Sequence, residues 1–342
     1  MANQEAMMTD VEWEKKDIFG YRPKKQWPKP GLLAFQVILP LAVNFIIQFM
    51  AQIFSSIVYY AMNPDILAQF MNPSNTTNMQ ANTKAIETGF MNSPIFYVGM
   101  IVAYILMIGT YLLIVRFAEK SNSGTIGLAF GTVQDRKKAA FSYLRGLAVG
   151  FAMMLAVFLL LVLSGQSSVV HIGFEMTLIP VFIANTLMWI PQGASEEVMT
   201  RGYMMSRLSP KFGRVAAVTF SSLFFSCMHL SNNGINVVAI INLVLVAVFF
   251  ALLALRTNEL WTVCALHTVW NFAQGNLFGF EVSGNLPAAS LLSTKTSNGS
   301  MELLTGGAFG PEGGLFVTLV VAVSLVVLLV VTGKKKTEIN QN

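Results

Sequence analysis

The sequence predicts an all-α, polytopic integral membrane protein of about eight transmembrane helices, with both termini in the cytoplasm. Two observations carry this. Apolar residues make up 54% of the chain and charged ones only 11%, whereas soluble domains carry roughly a quarter charged residues. The charges also cluster, leaving apolar stretches of about 18–25 residues, the length that crosses a hydrocarbon layer. Soluble helices would show an apolar stripe instead of being apolar all round.

The stretches lie near Leu33–Tyr60, Ile95–Phe117, Phe141–Leu163, Leu178–Arg201, Val215–Leu230, Val237–Leu255, Trp261–Phe278 and Leu315–Val331. Basic residues crowd the N-terminal tail, Arg116–Lys138, Arg207–Arg214, Arg256 and Lys334–Lys336, while the alternate loops hold Lys84 and Lys295. This alternation sets the orientation by the positive-inside rule. It also accounts for the net charge of +5, so no nucleic-acid partner is called for.

The organisation expected is a cytoplasmic tail over 1–31, a helical membrane domain over 32–333 with its motif core at 178–278, and a basic tail over 334–342. The polar, lysine-rich opening is unlike a cleavable signal peptide, so the first apolar stretch is expected to act as an uncleaved anchor. The loops Met62–Ser93 and Glu281–Gly314 are rich in Asn, Ser, Thr and Gly and are expected outside. Asn75-Thr76-Thr77 and Asn298-Gly299-Ser300 match the glycosylation pattern, which has no meaning in a bacterium. The absence of organelle signals points to a bacterial plasma membrane. Cys227 and Cys264 both fall in apolar segments and are expected as free thiols.

An ionised side chain inside a membrane costs roughly 3 kcal/mol or more, so such residues mark function. The fourth stretch ends in Pro191-Gln192-Gly193-Ala194-Ser195-Glu196-Glu197-Val198-Met199-Thr200-Arg201. Glu197 and Arg201 are four apart with the acid first, the favourable order for a helical ion pair. Adjacent helical residues point about 100° apart, so Glu196 and Glu197 are expected to find different partners. Of the three histidines, His171 reads as a solvated loop residue, while His229 and His267 lie in apolar segments. Asn271 follows His267 by one turn on the same helix face.

A glutamate with a histidine can deprotonate water and reprotonate a leaving amine. A second histidine and an asparagine amide can donate to an oxyanion. Equally, Glu196, His229 and His267 could be three ligands of a catalytic zinc with an open fourth position. There is no His-Glu-x-x-His run and no Gly-x-Ser-x-Gly elbow. The spacing leaves both chemistries open.

At these residues the chain resembles the CAAX prenyl protease and bacteriocin-processing (CPBP, or Abi-type) intramembrane proteases. The motifs are Glu196-Glu197 with Arg201, Phe225 with His229, and His267 with Asn271, in order on separate apolar segments. The resemblance covers 178–278. It implies an intramembrane endopeptidase whose cavity opens to the cytoplasm and the lipid. Glu196 and His229 would activate the water, His267 and Asn271 would stabilise the oxyanion, and Glu197 and Arg201 would orient the motif helix. It favours a metal-free glutamate mechanism with no cofactor, zinc being the alternative. The partners implied are a peptide or lipidated protein substrate and membrane lipids. A non-catalytic scaffold or immunity protein using the same cavity, and a proton-coupled transporter, are the other readings. The absence of inverted repeats counts against the transporter.

One expectation is geometrically awkward. His229 stands about 15 residues into the fifth stretch, on the order of 20 Å deep, whereas Glu196 and His267 stand near the cytoplasmic ends of theirs. Either Pro191 and Gly193 break the fourth helix, or the fifth helix starts in a vestibule.

Overall fold

The computed structural model describes residues 17–20, 29–71 and 86–339. Most of the N-terminal tail, Lys84, the Asn75 acceptor site and residues 340–342 lie outside the described residues. The chain is mostly helical. Helix α1 runs over Lys29–Met62, followed by the short α2 over Pro64–Met71. Helix α3 covers Pro94–Leu113 and continues as a π-helical turn over Ile114–Ala118. Helix α4 spans Val133–Leu163, and strand β1 is Ser167–Ile172. Helix α5, Ile179–Glu197, passes without interruption into a π-helix over Val198–Met205 and then α6, Ser206–Phe212. Helices α7, α8 and α9 are Arg214–Cys227, Val237–Thr257 and Trp261–Phe272, the last ending in a π-turn at Ala273–Leu277. Strand β2 is Leu292–Thr296, and α10 runs over Leu315–Ile339.

The starts of the helices are written in the sequence. The Ser93 hydroxyl accepts from Phe96 N, and Pro94 opens α3 where its missing N–H costs nothing. Thr132 and Asp135 form a reciprocal capping box on α4, and Asn236 caps α8 through Ala239 N.

Four helices are long and apolar enough to cross a membrane: Gly31–Met62, Pro94–Ala118, Val133–Leu163 and Val237–Thr257. Their outward faces carry large apolar side chains such as Phe45, Ile105 and Leu144, more than a soluble monomer exposes. The chain is therefore an integral membrane protein. The other four expected stretches are helical but different in kind. Arg214–Cys227 and Leu315–Val331 are apolar but shorter, α5 carries the polar motif, and α9 is a buried helix of 12 residues.

Two expectations need correction. The chain is not wholly helical, because β1 and β2 pair antiparallel, from Ser167 opposite Thr296 to Ile172 opposite Leu292. The loop after α4 and the loop before α10 cross at one end of the molecule, and their Val and Thr residues favour extended backbone. His171 sits exposed on β1, not in a loop. The described residues 17–20 of the N-terminal segment pack against the membrane domain. Ile18 and Phe19 are buried in the main core, with Ile18 N donating to Asn258 Oδ1 at 2.9 Å.

Helix α9 is the axis of the fold, held between α4 and α5. Gly146 and Gly150 of α4, a small-xxx-small pair, face it. A Cβ on Gly146 would strike Thr262 O, and one on Gly150 would lie 2.7 Å from Leu266 O. Gly146→Ala should therefore lower stability by about 1–3 kcal/mol, the usual cost of overpacking. In Gly109→Ala the new methyl meets nothing within 4 Å, and stability should hold. Thermal unfolding of both variants in detergent checks this; equal midpoints would contradict the close packing.

Candidate active site

The site grows from the α5–π–α6 rod and its return partner α7, which turn about Gly213, in left-handed backbone at φ +85°. At the usual helical rise, Glu196 stands about 25 Å before that turn and His229 about 24 Å after it. The two residues are thus brought level. The awkwardness in the sequence reading came from ending the fourth helix at Arg201, when it runs on to Phe212. Pro191 and Gly193 do not break it. Gly193 instead lets α9 come close, since a Cβ there would lie 3.0 Å from Thr268 N and 3.2 Å from His267 Cβ.

At the centre is a fully buried ion pair. Arg201 Nη1 donates to Glu197 Oε1 at 2.9 Å, with both side chains inaccessible to solvent. Nη1 also donates to Thr200 Oγ1 at 2.8 Å, and Nη2 to the Ala247 carbonyl of α8 at 3.1 Å. The guanidinium lies over the rings of Phe225, at 4.8 Å, and Phe250, at 5.6 Å, whose faces attract cations. So the motif phenylalanine has a job: it caps the charge under the site.

Glu197 has a second partner. His267 Nδ1 lies 3.0 Å from its Oε1. An ionised carboxylate only accepts, so Nδ1–H donates. The other face of the ring looks at Glu196, with Nε2 to Oε2 at 3.8 Å. The two glutamates therefore do share a partner, contrary to the 100° argument, because His267 inserts between them and offers a nitrogen to each.

Glu196 Oε1 accepts from Gln192 Nε2 at 2.7 Å, and Gln192 Oε1 accepts from Asn271 Nδ2 at 2.9 Å. Glu196 Oε2 takes no hydrogen bond among the described residues. His229 follows the end of α7, its Nδ1 donating to the Phe225 carbonyl at 2.8 Å and its ring 4.8 Å from that of Phe225. Its Nε2 is then the unprotonated nitrogen when the ring is neutral. Glu196, His229, His267 and Asn271 all line one cavity of about 920 Å³. No group of three or more His, Cys, Asp or Glu side chains among the described residues is arranged to hold a metal ion.

The loop residues in the rest of the cavity's wall come from one set of loops. Beyond these groups it is lined by residues of 88–92, 231–233 and 282–288, and by none from the basic loops near 119–138, 207–214 or 256–261.

Sequence reasoning missed Gln192, one turn before Glu196 and on its face, which was readable from the spacing. It also missed Glu312, which lines the cavity and accepts from Trp270 Nε1 at 3.2 Å and from Ser283 N at 2.7 Å. Glu312 comes from a distant loop, and no local pattern announces it. Cys227 and Cys264 are free, as expected.

Removing Arg201 leaves Glu197 as a buried, uncompensated charge, which costs about 3–5 kcal/mol. Arg201→Ala should therefore cut folded yield in detergent far more than Glu196→Ala does. Equal yields by size-exclusion chromatography would remove the structural role of the pair.

No curated protein and no solved structure matches the chain. Residues 175–273, which hold all three motifs, match the family described as "Rce1-like: Type II CAAX prenyl endopeptidase Rce1-like". Within this membrane chain, the stretch similar to that family therefore includes Glu196, His229 and His267.

Proposed function

We propose that the protein is an intramembrane endopeptidase in which Glu196 activates a water for attack on a peptide carbonyl. The observation that carries this is the buried Oε2 of Glu196, which takes no hydrogen bond among the described residues and lies 3.8 Å from His267 Nε2, both residues lining a cavity shared with His229 and Asn271. One water can bridge such a gap.

The roles divide by which nitrogen each histidine has left. His229 has Nδ1 engaged by the Phe225 carbonyl, so its Nε2 accepts and can share the water's proton with Glu196. His267 lies between two carboxylates, against which Arg201 supplies one positive charge. In its protonated form the ring balances that cluster, and its Nε2–H becomes a donor for the oxyanion. Asn271 gives one amide hydrogen to Gln192 and keeps the other for the same oxygen. Hydroxide adds to the carbonyl carbon, the C–N bond breaks, and the proton first taken by Glu196 passes to the leaving amine. The products are a carboxylate and an amine.

The segment's family name points to prenylated substrates, so the first assay uses a prenylated internally quenched peptide beside its unprenylated twin. Glu196→Gln should lower the rate about 100-fold or more, in line with loss of a general base, with an unchanged unfolding midpoint. Wild-type cleavage should survive chelator. A Glu196→Gln protein as active as wild type would overturn the assignment, and activity lost to chelator and restored by zinc would make the same residues ligands.

A second variant tests the amide bridge. Gln192→Leu should lower kcat about 10-fold or more and leave KM nearly unchanged, because Gln192 holds Glu196 and Asn271 and not substrate. A rise in KM alone would place Gln192 in substrate binding instead.

A further inference from the structure

The cavity has a closed end and an open one. At the closed end Glu197 and Arg201 are wholly inaccessible, and Tyr203, Met204, Met205 and Leu208 behind them belong to the main core. At the open end the lining residues Met91 and Leu286 are 50% and 64% exposed, and Asn233 and Asn285 are exposed beside them. A chain can therefore enter past 88–92, 231–233 and 282–288. The core of α6 and the π-helix blocks approach from the other side.

The two ends differ in charge. Arg116, Arg136–Lys138, Lys211, Arg214 and Arg256 gather at the closed end. Around the open end the loops carry Glu87, Glu175, Glu281, Glu302 and Glu312, and Lys295 is the one lysine or arginine among the described residues there. Positive loops stay on the cytoplasmic side, so the mouth faces away from the cytoplasm. Inside, the lining carboxylates and imidazoles are Glu196, Glu312 and the two histidines, with no lysine or arginine among the described residues. The cationic group His267 offers there when protonated is held between Glu196 and Glu197. Amides such as Asn185, Asn232 and Asn285 offer hydrogen bonds to a main chain.

We infer that the site is served from the non-cytoplasmic face, and that its substrate is an exported or outward-facing peptide segment, neutral or basic. This rests on the peptidase reading above and deepens it.

Sidedness decides the matter. In a full-length background with Cys227 and Cys264 replaced by alanine, Asn285→Cys should react with a membrane-impermeant maleimide in intact spheroplasts. Lys137→Cys, exposed at the closed end, should react only in inverted vesicles. The reverse pattern would overturn the inference without touching the peptidase assignment. Wild-type protein in proteoliposomes of orientation measured with the same two reporters should then cleave an internally quenched, lysine-flanked peptide at least 10-fold faster from the Asn285 face than from the Lys137 face. The glutamate-flanked peptide should be cut at least 10-fold more slowly. Cleavage confined to the Lys137 face, or preference for the acidic peptide, contradicts the proposal. Absence of cleavage of either peptide from both faces, with labelling as expected, counts against the peptidase reading itself, and the substrate assignment falls with it.

Discussion

One buried carboxylate organises the centre of this protein. Glu197 accepts from Arg201 on its own helix and from His267 on α9, so a local ion pair becomes a tie between two helices. A buried pair is weak as a source of stability, since desolvation offsets the attraction, but breaking one is costly. Here its effect is orientation. The ring of His267 is turned so that Nδ1 is engaged and Nε2 meets Glu196 at the cavity wall. The Phe225 and Phe250 rings and the Ala247 carbonyl complete the setting of the guanidinium. Four helical segments thus fix one imidazole.

The rest of the fold reads as the means of bringing those segments close. Gly146 and Gly150 on one side and Gly193 on the other let α4 and α5 approach α9 at backbone distance. The hairpin about Gly213 brings His229 level with Glu196. The π-helix over Val198–Met205 begins directly after Glu197 and contains Arg201. Such wide turns are frequent at functional sites.

Much of this was legible beforehand, and the failures have physical causes. The membrane class followed from composition, and the motif residues were found because intramembrane charge is rare. The Glu197–Arg201 pair followed from helical spacing. The shared histidine did not, because the angle between adjacent side chains says nothing about a third group inserted from another helix. The fourth helix was ended too soon because Arg201, Arg207 and Lys211 looked like a membrane edge, when Arg201 and Arg207 are buried and ion-paired, Arg207 with Glu119 at 2.6 Å. The β1–β2 pairing joins segments more than a hundred residues apart, and Glu312 reaches the cavity from a loop. Contacts of that separation leave no periodic trace. The small-residue spacing at Gly146 and Gly150 was visible and was passed over.

The most direct measurement of the central tie is the ¹⁵N spectrum of His267 in the folded protein, assigned by comparison with a His267→Gln sample. The account predicts a protonated Nδ1 whose resonance shifts in Glu197→Gln, as a hydrogen bond to that carboxylate requires. An unprotonated Nδ1, or a resonance indifferent to Glu197, would mean that the carboxylate does not set the ring, and the account of the site would fail at its centre.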